Sequence, residues 1–108
     1  MKFSELGKST RDILRLCDDI VFGDLTDLAV IDGEIHMTSA TKRHTTIRLD
    51  NEPRKKEPRR GNGDFTLNAA QERLVREARA NRNARITLLD IREGRPANLS
   101  FEEVMPAN

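Results

Sequence analysis

The sequence predicts an α+β fold: two αββ repeats forming a four- to five-stranded antiparallel sheet with both helices on one face. Three observations predict it. Apolar residues fall at helical spacing early in each half, the spacing switches to alternation directly afterwards, and a glycine-containing turn then folds each strand back.

In the first half, Ser9 followed by Asp12 has the spacing of a capping box. Ile13, Leu14, Cys17, Ile20 and Val21 share one face, so a helix is expected over 9–21 with Gly23 as its terminator. Over 25–31, Thr26, Leu28 and Val30 point one way and Asp27 and Ala29 the other, which is a strand pattern. Asp32-Gly33 is the two-residue signal for a type I′ hairpin. The return strand carries Ile35 and Met37 on one face, and Thr45 to Leu49 alternates again and is expected to join the sheet.

The stretch 51–64 contains Pro53, Pro58, Gly61 and Gly63 and no apolar side chain, so it reads as a basic flexible linker. Beyond it the plan recurs. A helix is expected over 68–82, with Leu74, Val75 and Ala78 inward and Asn68 and Gln71 suited to its first turn. In the strand over 85–92, Thr87, Leu89 and Ile91 alternate against Leu88 and Asp90; Ala97, Leu99 and Phe101 mark the return strand.

The halves align at one constant spacing: Leu6 with Leu67, Ile13 with Leu74, Cys17 with Ala78, Leu28 with Leu89 and Gly33 with Gly94. The return strands break the match, because Ile35 and Met37 fall opposite Pro96 and Asn98. A longer turn, Glu93-Gly94-Arg95, is the expected remedy. The chain thus divides into a first repeat over 1–50, the linker over 51–64 and a second repeat over 65–108. A lone αββ unit is too small to be stable, so the two are expected to share one sheet and one core.

Ile13-Leu14, Ile20-Val21-Phe22-Gly23, Val30-Ile31-Asp32-Gly33-Glu34-Ile35, Lys42 and Ile47-Arg48-Leu49 together resemble the YezD-like family of very short bacterial proteins. The second half keeps Leu74, Ile86-Thr87-Leu88 and Gly94 but lacks the Phe-Gly and Asp-Gly pairs. The resemblance covers most of the chain as two copies. It implies a helix-hairpin fold and carries no activity with it.

Charged residues make up 34% of the chain and aromatic residues 4%, with no Trp or Tyr, so the core is thin and aliphatic. Cys17 is the single cysteine, which rules out an intramolecular disulfide and favours a reducing compartment. The first residues lack the apolar run of a signal peptide, and no stretch has the length of a membrane span. A cytoplasmic protein without membrane contact is expected.

The near-zero net charge hides segregation. Asp12, Asp18, Asp19, Asp24, Asp27, Asp32 and Glu34 face only Arg15 in their stretch, whereas Lys42 to Arg60 is strongly basic. Two functions follow. The first is a small regulatory or accessory protein that binds the DNA or RNA backbone non-specifically through Lys42, Arg43, Arg48, Arg54, Lys55, Lys56, Arg59 and Arg60. The second is a protein-binding adaptor or inhibitor of phage or mobile-element type, acting through Asp18, Asp19, Asp24 and Asp27 or through a sheet edge. The arginines of the second helix, Arg73, Arg76 and Arg79, interleave with Glu72 and Glu77 and read as intrahelical ion pairs. Cys17 lies on the apolar helix face, so a Cys-His nucleophile is not expected, and neither a metal site nor a cofactor is foreseen. Open sheet edges leave room for a homodimer.

Overall fold

A computed structural model describes residues 1–47, 49 and 65–102. The described chain forms a short 3-10 turn (Phe3–Glu5), helix α1 (Lys8–Ile20), strands β1 (Gly23–Ile31) and β2 (Glu34–Thr45), helix α2 (Ala69–Ala80), and strands β3 (Ala84–Arg92) and β4 (Arg95–Glu102). The strands make one antiparallel sheet in the order β2-β1-β3-β4. No helix among the described residues is long and apolar enough to cross a membrane.

The register of β1 with β3 decides which face is inside. Leu25 lies opposite Leu89 and Leu28 opposite Ile86. These four are fully buried beside Ile13, Leu14, Cys17 and Ile20 of α1 and Leu74, Val75 and Ala78 of α2. Cross-strand partners share a face, so both helices cover one side of the sheet. Leu6 and Leu67 complete the same core.

The strands do not alternate as simply as their sequences. In β1, Leu25 and Leu28 are both inward, and Thr26 is not. Asp27 absorbs the extra step with φ 59, in a β-bulge against β2. In β3, Ile86 and Leu89 are inward, while Thr87 sits at a bulge against β4. The faces expected for Thr26 and Thr87 are therefore corrected: a bulge after the first inward residue shifts the phase in both strands.

The return strands are corrected too. Both turns take two residues at positive φ, Asp32-Gly33 (51° and 80°) and Glu93-Gly94 (54° and 76°), so the second is no longer than the first. Pro96 is buried where Ile35 is buried in the first half. A bulge between Asp90 and Ile91 on the β3–β4 ladder then returns Leu99 and Phe101 to the inner face. Ile35 and Met37 do share one face, opposite the inward Val30 and Leu28, but Met37 on the outer strand is 57% exposed. β2 ends at Thr45, so Ile47 and Leu49 do not join the sheet and are exposed.

The helix ends differ from expectation in both halves: α2 stops at Ala80, two residues short of the expected 82, and more changes in α1. Its N-cap is Gly7, with no side-chain cap, and Ser9 lies inside the first turn. It stops at Val21, not at Gly23: Val21 has φ 66, and the Phe22 N–H donates to the Ile20 carbonyl at 2.8 Å, closing a γ-turn. Gly23 instead opens β1. α2 has the full capping box, Asn68 with Gln71.

The two hairpins clasp opposite helices. The Gly33 N–H donates to the Arg82 carbonyl just past α2, and the Gly94 N–H donates to the Val21 carbonyl just past α1, both at 2.9 Å. Each turn thereby satisfies a carbonyl at the end of the other half's helix.

Candidate nucleic-acid interface

The β1–β2 ladder fixes where the basic end of β2 points. Lys42 lies opposite Thr26, Arg43 opposite Leu25 and His44 opposite Asp24. Leu25 is on the covered face, so Arg43 leans back towards the end of α1, where its guanidinium meets the Asp19 carboxylate at 3.0 Å. His44 lies on the open face, its Nδ1 2.6 Å from Asp24 Oδ1. Lys42 lies on the open face as well, is exposed, and has no ion pair among the described residues. Arg48, Arg54, Lys55, Lys56, Arg59 and Arg60 lie outside the described residues, as does the expected linker over 51–64.

The acidic alternative is built into the same region. Asp19 and Asp24 are held by Arg43 and His44. Asp27 is bonded to Arg85 across the β1–β3 pair, and its carbonyl accepts the hydroxyls of Thr38 and Thr41 at 3.0 and 2.8 Å. That hydrogen bond to Asp27, then the charges of Asp27 and Glu102, raise the Arg85 guanidinium above its ordinary pKa. Asp18 sits beside the second turn, its Cα about 3.4 Å from where a Cβ on Gly94 would lie. Charges segregated along the chain are thus brought together by strand pairing. The open face carries cross-strand ion pairs rather than one acidic field.

The α2 arginines are paired along their own helix, Arg73 with Glu77 at 3.0 Å and Arg76 with Glu72 at 3.4 Å. Cys17 is fully buried, and burial foremost, with the Asp18 charge adding, pushes its thiol up to about 12. It is a protonated core side chain at neutral pH. His44 turns to Asp24, away from the face that holds Cys17. No group of three or more His, Cys, Asp or Glu suited to a metal ion occurs among the described residues.

One feature was not read from the sequence. A groove of about 410 Å³ runs between α2 and β4, lined by Leu74, Leu89, Pro96, Leu99 and Phe101, with Arg73 and Glu77 along its helical side. Pro96 was the available signal, since proline within a sheet marks an edge strand or a bulge.

No family model, curated protein or solved structure matches the chain.

Proposed function

We propose that this chain is a non-catalytic regulatory or accessory protein that binds the nucleic-acid backbone with low sequence selectivity, through the outer end of β2 and the basic tract that follows. The observation that carries this reading is the placement of Lys42, Arg43 and His44. They are consecutive, exposed and on an outer strand, and the chain continues from there into Arg48, Arg54, Lys55, Lys56, Arg59 and Arg60. An outer strand gives a phosphodiester backbone room to run alongside, and each ammonium or guanidinium that meets a phosphate releases counterions. The scarcity of aromatics disfavours base stacking and leaves backbone charge as the main attraction. An acidic docking face has less support, because Asp19 and Asp27 already pair with arginines and Asp24 is already bonded to the His44 ring.

The test is fluorescence anisotropy with random single- and double-stranded oligonucleotides over a salt series. Binding should weaken steeply with salt, and replacing Lys55, Lys56, Arg59 and Arg60 together by Gln should flatten the slope. Absence of binding at low salt, or a slope indifferent to those four, would remove the reading.

A further inference from the structure

We infer that β4 is the contact surface for a second copy of this chain, which pairs antiparallel to it about a two-fold axis at Ser100. β4 is an outer strand with no neighbour beyond it among the described residues. Its first half is unsuited to pairing: Pro96 lacks an N–H, and the bulge at Ala97 twists the strand. From Asn98 to Glu102 the alternation is regular. Leu99 and Phe101 are on the covered face and only half-buried, and Asn98, Ser100 and Glu102 are on the open face.

A two-fold at Ser100 is self-complementary in that stretch. Leu99 of one copy falls opposite Phe101 of the other on the covered face, so each gains an apolar neighbour where it is now partly wet. On the open face Asn98 falls opposite Glu102, an amide donor against a carboxylate, and Ser100 meets Ser100. The same axis sets the two α2 helices antiparallel across their joined grooves. Arg73 and Glu77 line that side of each helix. Antiparallel placement reverses the order of Arg73 and Glu77, paired at 3.0 Å within each helix, between the two copies, so the groove side sets no run of like charge against itself. The β2 edge has no such match: its pairing with β1 is broken by the stretch Thr38–Thr41, and its outer end is basic. The dimer would be an eight-stranded sheet with a basic β2 end at each extremity.

Sedimentation velocity of the full chain, from about 10 to 500 µM, reads this directly, since self-association depends on concentration. The mass should rise from 12.3 kDa towards twice that value. Ser100→Lys sets two like charges face to face at the axis on an exposed position and should raise the dissociation constant at least about tenfold, with an unchanged circular dichroism spectrum. Met37→Lys, on the other outer strand, should leave the mass curve unaltered. A monomer at every concentration overturns the inference, as does a dimer that Met37→Lys dissociates and Ser100→Lys does not. Neither result bears on the oligonucleotide slopes, so this inference and the nucleic-acid reading fail separately.

Discussion

Gly23 opens β1 and Ala84 opens β3, the same place in each half, but only the first position is intolerant of a side chain. Gly23 has φ 153, and a Cβ there would lie 1.9 Å from the His44 carbonyl oxygen. A side chain at Gly23 meets the partner strand, because β2 continues to Thr45 opposite it; among the described residues β4 pairs with β3 only as far as Glu102 opposite Arg85. The helix ends follow the same contrast. α1 enters without a side-chain cap and leaves through Val21 at φ 66, while α2 enters through a complete capping box. Local sequence holds the second half in shape. In the first half, long-range contacts hold a backbone that local preference disfavours.

The largest expected effect separates the two strand starts. Gly23→Ala should cost roughly 3 kcal/mol or more, because backbone must move to admit the methyl group. Ala84→Gly should cost only about 0.5–1 kcal/mol. Urea midpoints of the two variants measure the difference; equal losses would mean that the partner strand does not set the demand for glycine at position 23.

Next come the shared positions. Leu28 and Leu89 are both fully buried at the centre of the sheet, so truncation of either to Ala should cost about 2–5 kcal/mol and in one cooperative transition. Two separate transitions would mean that the halves fold independently.

The helix ends give smaller and opposite effects. Asn68→Ala removes a cap and should destabilise by about 1 kcal/mol. Val21→Gly relieves a β-branched residue at positive φ and should stabilise by about 1 kcal/mol or less, the gain partly offset by lost side-chain packing. Thermal melts of this pair would sharpen the contrast between α1 and α2.

Cys17 adds a pH signature. Its folded pKa is raised from 9.0 to about 12, so the contribution of the buried thiol is present below pH 9 and is lost as pH climbs towards 12. Cys17→Ala should remove that alkaline loss while costing some packing at neutral pH. Iodoacetamide should label wild-type Cys17 only as fast as the protein opens.

The elements themselves were legible because their signals are local: the apolar stripes of both helices, the Asp32-Gly33 turn and the Asn68-Gln71 cap all survive in the structure. What escaped was the phase of the strands. A bulge such as that at Asp27 or Thr87 is set by the partner strand and leaves no mark on alternation, so Thr26 reads as inward when Leu25 is. Pro96 in place of Ile35 misleads in the same way, since a buried proline does not look like a core residue. The candidate site was half legible. Composition reveals the basic and acidic stretches, but the antiparallel β1–β2 register that sets Asp24 against His44, and Arg43 within reach of Asp19, is a tertiary fact. The tract from Arg54 to Arg60 was read from composition alone and lies outside the described residues.

The basic end of β2, the proposed nucleic-acid contact, is partly neutralised by the acidic end of α1 through the Arg43–Asp19 pair. The most direct measurement is the salt dependence of oligonucleotide binding for Asp19→Asn beside wild type. Asp19 is partly exposed, so the change should be mild for folding. Releasing Arg43 should tighten binding and steepen the slope by about 0.7–0.9, one further phosphate. An unchanged slope would mean that Arg43 never meets the nucleic acid and that the end of β2 is not the contact.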